Sequence, residues 1–364
     1  MYHMTKQEQI AQLEAKIAAL DTQITLCNNK QMALKINLNS CYGALGNAYF
    51  RFFDIKLAEG VTLTGQAIIQ YAERVMNEHL NKFLKTDGID RVIAIDTDSL
   101  YICVDDIVKR FNPKDPVAFL DQFGKKSIEP MLEKAFAEFA RKQGAVDVRI
   151  KMGREVIADR AIWTAKKRYI LNVLDSEGVR FATPKVKMMG IEAVKSSTPQ
   201  VCRTEMKDIF PLIMSTDERT VQNRISEFKK KFFTLSPHAI AFPRSVSDIR
   251  SYESKTSIYV KGTPMHCRAA IMYNHMLNTK RLANKYRVIH NGDKIKFIYL
   301  RSTNPTRENV IAFPNDHLPV ELGVSEYIDY ETQFQKAYLD PIQIVLDAIG
   351  WNAEPSANLE LFFG

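Results

Sequence analysis

The stretch VIAIDTDSLYICV, Val92 to Val104, places two aspartates between two apolar runs that are typical of β-strands. Residues i and i+2 of a strand point to the same face, so this pattern predicts Asp96 and Asp98 on one side, with Thr97 turned away. Carboxylates held close together repel each other, and burying them is costly unless a cation compensates. The stretch therefore predicts a β-hairpin whose tip is either an ordinary polar turn or a cation site.

Mg²⁺ is the cation that suits such a pair, because it prefers oxygen ligands and usually binds one or two carboxylates together with substrate phosphates. Two such ions about 3.5–4 Å apart are the usual apparatus for in-line phosphoryl transfer. Asp and Ser are also favoured in turns, so the motif by itself leaves both interpretations open.

The bulk composition sets limits on the partners. The chain has 364 residues, a net charge of +8, and ordinary hydrophobic and charged fractions of 46% and 25%. This length allows two or three domains, and the basic balance suits a nucleic-acid partner without proving one. The apolar runs are too short to span a bilayer and the N-terminus is too polar for a signal peptide, so we expect no membrane contact and a cytoplasmic location. The five scattered cysteines form no Cys-x-x-Cys pair, which argues against a disulfide framework or a zinc ribbon.

The N-terminal segment predicts a helix that starts with a capping box at Thr5 and Glu8 and runs to about Ser40. Its apolar residues repeat at alternating spacings of 3 and 4, at Ile10, Leu13, Ile17, Leu20, Ile24 and Cys27. Such a narrow seam of the coiled-coil type needs an apolar surface to pack against. A helix of another chain, the core of this chain and a second copy are the alternatives.

Further periodicities predict the remaining elements. A second helix is expected at about 61–84, with an apolar face made of Val61, Ile68, Ala72, Val75, His79 and Phe83. Pro116 to Gln143 is predicted mainly helical, and Val146 to Val194 rich in strands, with a turn at Asp175 to Gly178. The chain then becomes mostly helical, apart from the strand-like DKIKFIYL. These patterns predict an α+β fold with antiparallel strands, packed helices and one long N-terminal helix.

Two basic segments suit a phosphate backbone. KKRY, Lys166 to Tyr169, lies on a predicted strand, where three consecutive cations project to both faces. PKVKMMG repeats this arrangement with Lys185 and Lys187 on one face. A solvated basic edge strand is the alternative for either segment.

The segment KINLNSCYG combines a cation, an amide and an aromatic residue on the first helix. Lys35 and Asn39 are one helical turn apart and share a face. A lysine in this position suits a triphosphate, and Tyr42 suits packing against a base or a sugar.

The patterns K-x-x-x-N-S-x-Y-G, D-T-D-S and K-K-R-Y occur here in the same order as in family B DNA polymerases. The chain resembles that family from about residue 5 to its end, and in particular the replicative polymerases of T-even-type bacteriophages. NSCYGALGNAYFRFFD, WTAKKRYILNV, MGIEAVKSSTP and KGTPMHCRAAIMYN are also similar to their counterparts. Each motif by itself is weak evidence, but the ordered set is specific.

The resemblance implies roles for the nucleotide-binding and catalytic residues. Lys35 resembles the fingers-helix lysine that grips the phosphates of the incoming dNTP, and Asn39 is its neighbour on the nucleotide-facing side. Tyr42 is similar to the tyrosine under the nascent base pair. Asp98 matches the palm aspartate that coordinates two Mg²⁺ ions, and Asp96 matches its less direct companion.

The resemblance also implies contacts with primer-template DNA and with a sliding clamp. Lys167 resembles the lysine that reads the minor groove near the primer end. The expected DNA-binding residues are Lys166, Lys167, Arg168, Tyr169, Lys185, Lys187, Lys195, Ser196, Ser197 and Thr198. The tail is similar to the aromatic peptide that docks on the clamp through Leu361, Phe362 and Phe363, and a terminus packed on its own core is the alternative.

The implied domains are the C-terminal half of the fingers at 1–47, the major part of the palm at 48–190 and the thumb at 191–364, with the clamp-binding tail at about 357–364. Such a chain is expected to be one half of a naturally split polymerase, inactive alone. Its N-terminal subunit would bring the exonuclease, the rest of the fingers and palm, and the other catalytic aspartate. If a phage encodes it, the infected host cell is its location.

Some features depart from the family pattern. The earlier D-x-x-S-L-Y-P motif is absent, and the two Asp-x-Glu triplets, at Asp175–Glu177 and Asp329–Glu331, are interpreted as surface features rather than exonuclease residues. Ala94 and Ile95 replace the usual Tyr-Gly. The alternatives are a truncated expression fragment, a catalytically decayed module that binds duplex DNA and docks on a clamp, and a reverse transcriptase, whose palm also bears paired aspartates. KKRY and the thumb argue against the last.

Overall fold

The computed structural model describes residues 5–254, 256–314 and 317–355. The chain divides into two compact units, Met1–Gly153 and Arg154–Gly364, and each has its own hydrophobic core. Helices and antiparallel strands occur in both, which confirms the predicted α+β class. Within the described ranges, no helix combines the length and the apolar character that a membrane crossing requires.

The first unit begins with the 40-residue helix α1 (Lys6–Leu45). The predicted capping box is present: the Thr5 N–H donates to the Glu8 carboxylate at 2.7 Å, and the Glu8 N–H donates to the Thr5 hydroxyl at 3.3 Å. The helix continues past its predicted end at Ser40 and through Gly43, because a glycine inside a helix costs only about 1 kcal/mol. It ends at Leu45, with Gly46 as its C-cap. No residue of α1 is buried, so its apolar seam is exposed.

A second long helix, α2 (Ile55–Leu84), is followed by a β-hairpin of β1 (Val92–Asp96) and β2 (Ser99–Ile102). The unit ends with the helices α3 (Asp105–Phe111), α4 (Pro116–Phe123) and α5 (Glu129–Lys142). α2 packs on α5, and strand β1 joins the core that the two helices form. The hairpin is thereby fixed to a helical support.

The buried face of α2 differs from the prediction. It consists of Ala58, Ile69, Ala72, Met76, Leu80 and Leu84. Ala72 lies on the predicted face, but Val61 and Phe83 are exposed. The helix is apolar on more than one stripe, and packing against Leu132 and Phe136 of α5 selects the stripe that is buried.

The second unit begins with an antiparallel sheet in the order β3–β4–β5, formed by β3 (Val156–Ala165), β4 (Arg168–Ser176) and β5 (Val179–Met189). The predicted turn between the last two strands is confirmed. Its central residues Glu177 and Gly178 have φ of 51° and 86°, as in the turns that match the twist of a hairpin. The predicted strand at 146–152 is wrong, because an alternating pattern becomes a strand only where a neighbouring strand pairs with it.

Helices surround a second antiparallel sheet in the rest of this unit. The helices are α6 (Gln200–Ser215), α7 (Glu218–Phe232), α8 (Pro237–Ile240), α9 (Met265–Thr279), α10 (Tyr330–Phe334) and α11 (Asp340–Asp347). The sheet order is β6–β7–β8, formed by β6 (Phe242–Ser245), β7 (Lys294–Tyr299) and β8 (Val310–Pro314). Ile162 and Ile170 of the first sheet pack into the same core as Phe210 and Phe313, so both sheets are anchored on one hydrophobic interior.

Candidate functional site

The tip of the β1–β2 hairpin carries the two predicted catalytic aspartates. Asp96 pairs with Ser99, which leaves Thr97 and Asp98 as a two-residue turn. The Asp98 N–H donates to the Asp96 carbonyl at 2.6 Å, and the Ser99 hydroxyl donates to the same carbonyl at 3.0 Å. Asp98 therefore lies in the turn and not in a strand, so the predicted i, i+2 strand geometry is wrong, although both aspartates lie at one tip.

Thr97 gives this tip an unusual backbone. Its φ is 55°, in the left-handed region that β-branched residues rarely adopt. Its side chain was predicted to turn away, but the hydroxyl donates to the Asp96 carboxylate at 3.0 Å. Backbone strain of this kind costs on the order of 1–3 kcal/mol and is concentrated at functional sites. Asp96 is half-buried and Asp98 exposed, so Asp98 is the more accessible of the two.

The donor set at the tip fits Mg²⁺. Asp96 and Asp98 offer hard carboxylate oxygens, and Mg²⁺ usually binds one or two carboxylates plus phosphates. Across the described ranges, no group of three or more His, Cys, Asp or Glu side chains is arranged to hold a metal ion. Ala94 and Ile95, which replace the family's Tyr-Gly, pair with β2 in register, and Ile95 packs against the core. The ladder is regular from Ala94 to Asp96, and its register shifts between Val92 and Ala94.

The predicted nucleotide-binding residues all lie on α1, because the helix continues beyond Ser40. Lys35, Asn39 and Tyr42 follow one another at spacings that place them on one face of a helix. All three side chains are exposed. This face is separate from the apolar seam, so the helix carries a polar stripe beside an apolar one.

In the second unit, the first half of KKRY forms a turn and the second half begins a strand. Lys166 and Lys167 are the two residues between β3 and β4, and Arg168 opens β4 opposite Ala165. Lys167 has φ of 62°, and a Cβ at Gly190 would lie 2.1 Å from its carbonyl oxygen. The strand prediction holds for Arg168 and Tyr169 and is wrong for Lys166 and Lys167, because a two-residue turn can carry basic side chains as well as a strand edge can. The absence of a side chain at position 190 allows the backbone to approach this turn closely.

Glu192 joins two of the predicted DNA-binding residues. Its Oε1 lies 2.8 Å from Arg168 Nη2 and 2.8 Å from Lys195 Nζ. The Arg168 Nε also donates to the Gly190 carbonyl at 3.2 Å. Sequence reasoning did not identify Glu192, although its i, i+3 spacing from Lys195 was a usable signal.

The edge strand β5 presents its lysines as predicted. Lys185 lies opposite Val173 and Lys187 opposite Leu171, so both share one face of the sheet. The Lys185 Nζ lies 4.2 Å from the centre of the Phe181 ring, and the Lys187 ammonium lies 2.7 Å from a Glu155 carboxylate oxygen. Exposed ion pairs contribute only about 0–1 kcal/mol, so a phosphate can compete for such a lysine.

The other predicted DNA-binding side chains differ in accessibility. Tyr169 is buried, with its ring centre 5.9 Å from that of Trp163, and Thr198 is also buried. Ser196 is exposed, and the Ser197 carbonyl accepts a hydrogen bond from Arg244 at 2.6 Å. The clamp-binding residues Leu361, Phe362 and Phe363 lie outside the described residues.

In the first Asp-x-Glu triplet, Asp175 is not a surface residue, contrary to the prediction, whereas Glu177 is exposed. The Asp175 carboxylate is buried, pairs with Arg154 and accepts the Gly178 N–H at 3.0 Å. A buried carboxylate needs such partners, and here they stabilise the β4–β5 turn. Asp329, of the second triplet, caps α10 by accepting the Thr332 N–H at 2.9 Å. Both aspartates therefore have structural roles.

Comparison with known proteins agrees with the resemblance that the ordered sequence motifs indicate. The chain matches the sequence model of DNA polymerase family B over residues 9–349. It is 35% identical to the DNA-directed DNA polymerase of Enterobacteria phage T4, over 97% of this chain and 40% of the phage protein. The DNA-directed DNA polymerase of Escherichia phage RB69 is 33% identical, over 90% of this chain and 38% of its own length. DNA polymerase 1 of Pyrococcus abyssi is 25% identical over 90% of this chain and 36% of its own length.

The chain spans about two fifths of the length of the phage relatives. Because the match covers nearly the whole chain, this protein belongs to DNA polymerase family B.

Proposed function

We propose that this chain contributes part of a DNA-directed DNA polymerase that adds dNTPs to the 3′ end of a primer on a template. It would supply the C-terminal half of the fingers (1–47), the major part of the palm (48–190) and the thumb (191–364). The observation that carries this proposal is the pair of aspartates at the strained D-T-D-S tip, in a chain that belongs to this family.

The residues of the first unit have separable roles in this reaction. Asp98 is exposed, and Asp96 is held by the Thr97 hydroxyl, so together they would hold two Mg²⁺ ions with the dNTP phosphates. When bound, Mg²⁺ supplies positive charge that compensates the charge developing on the phosphates. Lys35 would bind the phosphates from α1, and Tyr42, two turns further along, would contact the nascent base pair.

The residues of the second unit would hold the primer-template. Lys166 and Lys167 project from a turn, and Arg168 and Lys195 are held together by Glu192. Such cations bind backbone phosphates and position the duplex without reading its sequence. A sliding clamp would be the partner of the C-terminal tail, a proposal that rests on the resemblance of that tail.

The exposed face of α1 supports a partner helix on an N-terminal subunit. Because α1 runs to Leu45, the seam that begins at Ile10 continues through Leu34, Leu38, Cys41 and Leu45. Ile10 is 56% exposed and Leu38 is 72% exposed. Gln31 interrupts this seam, and a single polar residue in such a position fixes the register of paired helices. The N-terminal subunit would also bring the exonuclease, the rest of the fingers and palm, and the other catalytic aspartate.

The two-chain proposal predicts that the isolated chain does not extend a primer, because the pair of aspartates is only part of the ligand set for two metal ions. Extension should appear when the N-terminal subunit is co-expressed and purified with it. Extension of a labelled primer in the presence of Mg²⁺, followed on a gel, measures this, with each subunit alone as control. Robust DNA synthesis by the isolated chain would contradict the two-chain proposal.

The packing of the seam can be followed through its thiols. Cys27 and Cys41 lie on the seam and are exposed, whereas Cys103 is exposed outside α1. Binding of the N-terminal subunit should slow maleimide labelling of Cys27 and Cys41 by roughly tenfold or more, since thiol reactivity requires access. Labelling of Cys103, followed by mass spectrometry, is the internal control.

Two other labelling outcomes would count against this arrangement. Protection that rises with the concentration of this chain alone would show that a second copy occupies the seam. Unchanged labelling of Cys27 and Cys41 in the co-purified pair would show that no helix docks there.

A further inference from the structure

A groove of about 580 Å³ lies in the second unit, beside the first turn of α6. Among the residues that line it, Arg203, His238 and Lys296 are basic, and none is Asp or Glu. Ser196, at the groove wall, adds a hydroxyl group and belongs to the segment expected to contact DNA. The groove therefore combines positive charge with hydrogen-bond donors.

The Arg203 and Lys296 side chains of the groove have neutral hydrogen-bond partners. Arg203 donates to the side-chain oxygen of Gln200, and its Nε is buried with no hydrogen-bond partner in the part of the chain that the structure describes. The Lys296 Nζ donates to the His238 carbonyl at 2.9 Å and lies 3.0 Å from His238 Nε2. Burial lowers the pKa of Lys296, as is usual for an ammonium group that loses water without gaining a carboxylate.

Two other cations of the same unit are neutralised by carboxylates. Arg224 Nε lies 2.6 Å from a Glu205 carboxylate oxygen, and Arg168 Nη2 lies 2.8 Å from Glu192. Partly buried cations are normally paired, because removing a charge from water is expensive. Among the described residues, neither Arg203 nor Lys296 has a carboxylate partner, which leaves the positive charge of the groove open to an external anion.

We propose that this groove binds a phosphate-type oxyanion through Arg203 and Lys296. A guanidinium group matches two phosphate oxygens, while the ammonium group acts as a point charge. The adjoining segment is held in place because Arg244, on β6, donates to the Ser197 carbonyl at 2.6 Å. The identification of the ligand as a backbone phosphate of bound DNA rests on the proposed function, whereas a free oxyanion such as pyrophosphate would have the same chemistry.

The test compares duplex binding by the full chain with that of single variants. A short primer-template duplex without dNTP is titrated at several salt concentrations, by fluorescence anisotropy. Lys296→Gln and Arg203→Gln should each weaken binding roughly tenfold, since each removes a charged hydrogen bond. Each should also make the negative slope of log K against log salt shallower by about 0.9, the contribution of one phosphate contact. Lys230→Gln, which removes one exposed charge from α7, is the matched control and should keep the slope.

A second titration with inorganic pyrophosphate, by calorimetry, distinguishes the source of the anion. If the variants change the salt dependence of duplex binding, the ligand is a backbone phosphate. If they lose only pyrophosphate binding, the ligand is a free oxyanion. If both titrations match the wild type in both variants, the proposal is overturned. Lys296→Arg should restore binding, which separates a lost charge from a damaged fold, and circular dichroism checks folding. Neither titration requires primer extension, so this proposal and the polymerase proposal can fail separately.

Discussion

Asp98→Asn in the two-chain enzyme is expected to lower the rate of primer extension by about 10³-fold or more. Two-metal stabilisation of phosphoryl transfer contributes several kcal/mol, and each 1.36 kcal/mol corresponds to about a factor of ten in rate. Asparagine preserves the size of the side chain, and the turn bond from the Asp98 N–H to the Asp96 carbonyl uses only backbone atoms. The substitution should therefore remove a metal ligand without unfolding the hairpin.

Single-turnover extension with saturating dNTP measures this effect, and duplex binding is measured in parallel. Asp87→Asn is the matched control, because Asp87 is an exposed aspartate in the loop before β1. It should keep the full rate, and both variants should bind duplex DNA as the wild type does. If Asp98→Asn also keeps the full rate, the aspartates are vestigial and the chain is a DNA-binding, clamp-docking module.

Gly190→Ala is expected to destabilise the second unit by about 2–4 kcal/mol. The φ of Gly190 is 66°, and a side chain in that region costs about 1 kcal/mol. In addition, the new Cβ would lie 2.1 Å from the Lys167 carbonyl oxygen, and forced overpacking costs about 1–3 kcal/mol. Because the clashing atom belongs to the backbone, relief requires that the β3–β4 turn move.

Gly178→Ala provides the matched control in the same sheet. Gly178 has φ of 86°, but a Cβ there would meet only the Arg154 side chain at 4.0 Å. Its cost should be about 1 kcal/mol, so the two variants share the backbone penalty and differ in the clash. Thermal unfolding followed by circular dichroism measures both. Equal melting temperatures for the two variants would show that the close approach at Lys167 is not important for stability.

The local elements of the fold were the most predictable from the sequence. The capping box of α1, the hairpin at Val92 to Val104 and the turn before β5 are specified by short-range patterns, which act within a few residues. The end of α1 was misplaced, because glycine lowers helix propensity without ending a helix whose other residues favour it. The buried face of α2 was predicted incorrectly, because α2 has apolar residues on two stripes and tertiary packing decides which stripe is buried.

By itself, the sequence determined the helices, the antiparallel hairpins, the pair of aspartates and the ordered motifs of family B. Only the tertiary structure decided that Lys166 and Lys167 form a turn against Gly190, that Glu192 holds Arg168 and Lys195, and that Arg203 and Lys296 line one groove. The physical reason is the range of the interactions. Propensities and turn preferences act between near neighbours, whereas clashes, ion pairs and grooves join residues that are distant in the chain and meet only when the core has formed.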